Sequence, residues 1–165
     1  MATLLGADIA PQRPRVVRDR TEPSGHILEP EWSGTRVLVR IGGGPRFRGY
    51  AGTVEGPREL YDAIVADARC ETAIIDGVLV LLEIDGESLL AVPLLERRRH
   101  LAGVLTPSPN VRLTPYVTRG LRSWHDTLLA QGFKRAVLKN WNSAYAPGKT
   151  TDDWLVVEKL KPAIP

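Results

Sequence analysis

Val37, Val39 and Ile41 stand two apart, separated by Arg36, Leu38 and Arg40, and this period of two predicts a strand over 36–41. The run 26–32 predicts a second strand before it, with Ser33-Gly34 as the tight turn of a hairpin. Gly42-Gly43-Gly44-Pro45 ends the strand, and 46–54 reads as a third. The triple glycine is a hairpin loop rather than a phosphate loop, because no helix-opening Gly-Lys-Ser/Thr follows it. Pro57 then opens a helix through Ala68 with Leu60, Ile64 and Val65 on its buried side. Residues 72–84 form one buried, β-rich run closed by an Asp85-Gly86 turn. Pro93 starts a second helix with Leu94, Leu101 and Leu105 on one side. A third runs from about 118 to 131 with Leu121, Trp124, Leu128 and Leu129 inward and Gly132 as cap. The last strands are 135–140 and 154–160. The pattern predicts an α+β fold of antiparallel sheets flanked by helices, with one domain over 26–161 and a short tail at 162–165.

A chain of 165 residues suits one domain, and 43% hydrophobic with 25% charged residues is a globular composition. The longest apolar run is broken by Asp76 and Gly77 and falls short of the ~20 residues that span a bilayer. No basic flank precedes the first apolar residues, so the expected location is cytoplasmic, with no membrane partner. A single cysteine, Cys70, excludes an internal disulfide and a cysteine zinc site. His26, His100 and His125 lack metal-ligand spacing and read as surface or capping residues. Net charge is +3, from 17 arginines and 5 lysines against 19 acids. Arg13, Arg15, Arg18 and Arg20 lie among prolines without apolar periodicity, which predicts a flexible arginine-rich arm over 1–25 able to touch nucleic-acid phosphates. The adjacent Arg97, Arg98 and Arg99 spread around a helix and read as a mostly solvated face.

No lysine occurs before Lys134. Glu29-Pro30-Glu31-Trp32-Ser33-Gly34-Thr35-Arg36 resembles the nucleophile motif Glu-x-Lys-x-Asp-Gly-x-Arg of ATP-dependent DNA ligases, with Glu31 at the attacking lysine and Ser33 at the aspartate. Four further segments follow in family order. Ile75-Asp76-Gly77-Val78-Leu79-Val80 resembles Leu-Asp-Gly-Glu-Leu-Val, and Pro93 to Arg98 resembles Pro-Leu-x-Glu-Arg-Arg. Gly132 to Lys139 is similar to Gly-x-Glu-Gly-Val-Val-x-Lys. Ser143 to Lys149 with Trp154 to Glu158 is similar to Ser-x-Tyr-x-Pro-Gly-x-Arg and Trp-Leu-Lys-Val-Lys. The resemblance implies a nucleotidyltransferase (adenylation-domain) fold over about 29–161, shortened, and without the OB domain that follows in the family, since four residues follow Lys161.

What the resemblance implies for chemistry is loss. Self-adenylylation needs an amine to attack the α-phosphate, and Glu31 has none. Ser33, Val78 and Lys134 replace acidic positions of the metal and nucleotide site, and Val156 and Glu158 replace two phosphate-binding lysines. Glu29, Arg36 and Lys139 survive as the nucleotide-binding set, beside the structural Tyr145, Pro147, Gly148 and Trp154. Lysine has become glutamate at 31 where glutamate has become lysine at 134, a reciprocal exchange that predicts a Glu31–Lys134 ion pair. The expected function is a catalytically degenerate ligase-like protein without cofactor, acting by binding DNA, weakly and without sequence preference, or a protein partner. One alternative is an active minimal ligase or nucleotidyltransferase in DNA repair, using ATP and Mg²⁺ with Lys134 or Lys139 as displaced nucleophile. A nucleotide sensor that binds without turnover is another.

Overall fold

A computed structural model describes residues 4, 7–34, 36–42, 46–49, 52–54, 58–77, 80–109 and 111–163, with backbone alone for 46–49, 52–54, 80 and 81. Among the described residues, ten strands and three helices follow one another as β1 (Arg13–Thr21), β2 (His26–Pro30), β3 (Val37–Ile41), β4 (Arg46–Gly49), β5 (Gly52–Val54), α1 (Arg58–Asp67), β6 (Ala73–Asp76), β7 (Val80–Ile84), β8 (Glu87–Ser88), α2 (Leu94–Val104), α3 (Leu121–Ala130), β9 (Ala136–Asn140) and β10 (Thr150–Lys161). They form two compact units that interleave in sequence, where one domain was expected. The α+β class stands. Pro57, Val78 and the loop 43–45 lie outside the described residues.

The first unit comprises residues 1–12, 34–113 and 144–148 and is built on a six-stranded sheet in the order β5-β4-β3-β6-β7-β8. Its neighbours are antiparallel throughout. The expected single run over 72–84 is a hairpin, β6 and β7, because Gly77 turns the chain. Its N–H donates to Val37 O at 2.7 Å, so close that a Cβ would sit 2.9 Å from that oxygen. Asp85 and Gly86, both at positive φ, make the next two-residue turn, to β8. One face of the sheet packs Ile41, Ala73 and Ile75 against Leu101 and Leu105 of the α2 region, and Val39 against Tyr61 of α1. The expected inward face of α1 is rotated. Tyr61 is buried while Leu60 and Val65 are 40% and 39% exposed, since helical sides of similar hydrophobicity are separated only by what packs on them.

The second unit comprises 13–33, 114–143 and 149–165, on a four-stranded sheet in the order β1-β10-β9-β2. Strands β1 and β10 are parallel, whereas β10–β9 and β9–β2 are antiparallel. Leu28, Ala136, Leu138, Leu155 and Val157 pack against Leu121 and Leu128 of α3. The α3 N-terminus is capped by Glu22, whose carboxylate accepts the Leu121 N–H at 2.9 Å. Leu129, expected inward, is 41% exposed, and the inward position is taken by His125, expected at the surface but buried at 1%.

Two corrections bear on function. The expected flexible arm is in large part β1, a nine-residue strand with Val17 packed on the core of the second unit. The expected tight turn at Ser33-Gly34 is no hairpin, because β2 and β3 belong to different sheets and the chain leaves one unit for the other at this point. No helix among the described residues is long and apolar enough to cross a membrane.

Candidate functional site

In the second unit the ladder sets Ile27 beside Lys139 and Lys139 beside Trp154, and in the next row Glu29 beside Val137 and Val137 beside Val156. Strand alternation directs these six side chains to one face of the sheet, the face opposite the α3 core. Lys139 and Glu29 meet diagonally, Nζ to Oε2 at 2.6 Å, with 1% and 0% of their side chains exposed. The ammonium lies 4.4 Å from the Trp154 ring centroid, a cation over the electron-rich face of an indole. Both surviving groups of the expected nucleotide set in this unit are therefore ion-paired with each other. Val156 is buried, and Glu158, one alternation further, is exposed.

Glu31 follows β2 directly. Its carboxylate accepts two hydrogen bonds from Arg135, Nε to Oε2 at 2.7 Å and Nη2 to Oε1 at 3.0 Å, and its N–H donates to the Arg135 carbonyl at 3.4 Å. The expected pair with Lys134 is absent. The reason lies in the pairing: Pro30 opposes Ala136 at the end of the ladder and the Glu31 N–H reaches the Arg135 carbonyl, so the cation set opposite Glu31 is Arg135 and not Lys134, one residue earlier. Lys134 is exposed and makes no ion pair among the described residues. Arg135 occupies a position that is glycine in the resembled motif, so the compensating cation entered there, where comparing charges alone could not find it. Ser33 is exposed.

Arg36 belongs to the first unit. Its guanidinium clamps Asp76 of β6, Nε to Oδ1 at 2.8 Å with a second, short contact from Nη2 to Oδ2, and Nη1 donates to Gln12 O at 2.5 Å. The Tyr145 hydroxyl donates to Asp76 Oδ2 at 2.8 Å and accepts the Gln12 N–H at 2.8 Å, while Gln12 Oε1 accepts the Ala146 N–H at 2.8 Å. Gln12 and Asp76 are wholly buried. Burial, with Asp76 alongside, holds the Tyr145 hydroxyl well above its ordinary pKa. Arg97, expected on a solvated face, is fully buried instead. It donates to Val92 O and stands 5.8 Å from the Tyr145 ring centroid, and burial pushes its pKa down to about 10. Arg98 is likewise buried. Arg40 donates from Nη1 to Leu4 O at 2.9 Å and from Nη2 to Ala7 O. The sequence did offer a signal for this network: an aspartate inside the apolar run 73–82 cannot be buried without a partner.

The four arginines of the expected arm are exposed on β1. Arg15 pairs with Asp152 at 3.0 Å, whereas neither Arg18 nor Arg20 makes an ion pair among the described residues. No group of three or more His, Cys, Asp or Glu side chains able to hold a metal ion occurs among the described residues.

No protein-family model matches the chain. A DNA ligase of Thermococcus fumicolans is 26% identical over 160 residues, which is 93% of this chain and 26% of the relative. A probable DNA ligase of Streptomyces coelicolor is 31% identical over 134 residues, 78% of this chain and 25% of the relative. The chain thus spans about a quarter of the length of these relatives. Among solved structures, the ligase domain of LigD from M. tuberculosis matches with a TM-score of 0.69 at 18% identity, over 90% of this chain and 59% of that one. By sequence the chain is related to DNA ligases and its fold matches that of a ligase domain, which together support an adenylation-type domain of the ATP-dependent DNA ligase kind.

Proposed function

We propose that this domain is a catalytically degenerate relative of the DNA ligases that acts by binding DNA and not by transferring a nucleotide. The observation that carries the reading is the bidentate Glu31–Arg135 pair at the position where the resembled motif has its nucleophile. A carboxylate forms no phosphoramidate, and unit negative charges 4 Å apart repel by roughly 4 kcal/mol at an effective dielectric of about 20, worth about three decades in affinity. The cations that would offset this are engaged, Lys139 by Glu29 and Arg36 by Asp76. Val156 and Glu158 supply no positive charge. These residues do not fit a nucleoside triphosphate with its metal.

DNA as the partner is supported by the kind of relatives the chain has and by the unpaired cations Arg18 and Arg20 on an exposed strand. Contacts of this type recognise phosphate without reading sequence and weaken steeply with salt. The experiment is incubation with radiolabelled ATP or GTP and Mg²⁺ followed by denaturing electrophoresis, with a parallel mobility-shift titration on DNA. We expect no labelled protein, from the natural chain or from Glu31→Lys, and a shift at about 50 mM salt that fades by about 200 mM. A protein–nucleotide band that survives denaturation overturns the reading. Arg18→Ala with Arg20→Ala is the DNA control. Deleting 1–20 is not, because it removes an entire strand of the sheet.

A further inference from the structure

Trp32 keeps 55% of its surface in solvent although it is a large aromatic side chain with an apolar core nearby. It is not loosely held. The Phe133 ring meets it edge-on, centroids 5.3 Å apart and planes at 79°, and Phe133 packs against the α3 core. The chain neighbour of Phe133 is Lys134, an exposed lysine without an ion pair among the described residues. Alternation sends the Glu31 carboxylate to the other side, where Arg135 neutralises it. An indole fixed in place beside an uncommitted ammonium is what a nucleotide of an unpaired strand requires, a flat surface for its base and a cation for its phosphate.

We propose that Trp32 is a stacking platform for an unpaired nucleobase, with Lys134 on the adjoining phosphate, so that the domain prefers single-stranded DNA to duplex. The proposal rests on the DNA-binding reading above and names the form of DNA. Duplex bases are already stacked and offer Trp32 no face unless the step is opened, at a cost of a few kcal/mol. An acidic peptide would answer the charge but not the exposed ring. The unit that carries Trp32 holds 12 Lys and Arg against 8 Asp and Glu, a net +4, which favours a polyanion over a neutral protein surface.

The test is a fluorescence-anisotropy titration of the full chain at about 50 mM salt with three probes of equal length: oligothymidine, its abasic sugar–phosphate counterpart, and a duplex. Oligothymidine should bind about 5- to 150-fold more tightly than the abasic strand, the range of a base–aromatic stack of ~1–3 kcal/mol. Trp32→Ala should erase that difference and Trp32→Phe should keep part of it, while Lys134→Gln should weaken both strands alike. The abasic comparison on the unsubstituted chain needs no variant, so a folding defect in Trp32→Ala leaves the proposal exposed. Equal binding of base-bearing and abasic strands, each weakened by Arg18→Ala with Arg20→Ala, overturns the platform and leaves DNA binding standing. A polyglutamate peptide that competes as well as oligothymidine overturns it too, because charge alone then suffices. No binding of any probe ends both readings.

Discussion

The unit on the six-stranded sheet holds 10 Lys and Arg against 11 Asp and Glu, a net −1, whereas the unit on the four-stranded sheet holds 12 against 8, a net +4. The first keeps its most constrained charges inside. Arg36 and Asp76 are tied to each other and to Tyr145 and Gln12, with Arg97 over the Tyr145 ring, so the Asp76 carboxylate has several polar partners. The second buries one ion pair, Glu29–Lys139, with an indole as its further partner, and leaves Arg18, Arg20 and Lys134 in solvent. Internal charge in a network locks strands and connecting segments in place, while external charge left unpaired is available to a partner. The whole positive excess of the chain therefore lies on the unit for which DNA binding is proposed.

The comparison breaks most easily at Lys139. Lys139→Met leaves the Glu29 carboxylate buried without its ion partner, and stability should fall by about 3–5 kcal/mol in denaturant unfolding. The double substitution Glu29→Gln, Lys139→Met should cost far less than the sum of its singles, as neighbours in contact require. A loss under about 1 kcal/mol for Lys139→Met would mean that water reaches the pair, and the contrast between a sealed pair and a network would fail.

In the first unit the same kind of cut should hurt less. Tyr145→Phe removes the hydroxyl that donates to Asp76 and accepts from Gln12, but Asp76 keeps both contacts from Arg36. The expected loss is about 1–3 kcal/mol, mainly from the Gln12 N–H left unsatisfied. Equal losses for Tyr145→Phe and Lys139→Met would show that redundancy of partners does not distinguish the units.

Much of this was legible in the chain, and the failures share a cause. The α+β class, Pro93 ahead of α2 and the inward Leu94, Leu101 and Leu105 follow from local chemistry and period. Strand β1 was not legible because only Val17 reaches the core, so a strand held at the edge by β10 shows no alternation. Its Pro14, the register shift beside it and its arginines also suit an edge strand guarded against pairing with another chain. The division into two sheets at Ser33-Gly34 was hidden because a tight turn and a crossover use the same residues. At the site, Glu31 and Arg36 were found from motif positions, but their partners were not. Arg135 and Asp76 are chosen by cross-strand register, which the order of residues does not display until the strands are paired.

The units should also differ in acid. His125 is buried in the second unit, and that burial holds its imidazole below the ordinary 6.5 despite the opposing pull of Asp126. The neutral form is the folded form, so its contribution is complete above pH ~6.5 and is lost as pH falls from there through the lower folded pKa. Stability measured by urea unfolding should decline below pH ~6.5, and His125→Leu should flatten that decline before the carboxylates titrate. An identical slope in His125→Leu would remove the asymmetry.

The smallest expected effect sharpens the account of Glu31. Its pair with Arg135 is 27% and 37% exposed, so solvent screens it and Arg135→Gln should cost about 1 kcal/mol or less, even with two hydrogen bonds lost. Lys134→Gln should stay within about ±0.5 kcal/mol, because that side chain is exposed and holds no ion partner among the described residues. A double-mutant cycle of Glu31→Gln with Arg135→Gln should give a coupling energy, and the cycle with Lys134→Gln should give none beyond ~0.3 kcal/mol. The reverse result would restore the reciprocal exchange of charge between 31 and 134. It would also place Lys134 on the Glu31 side of the strand, and so take away the cation that the Trp32 platform needs.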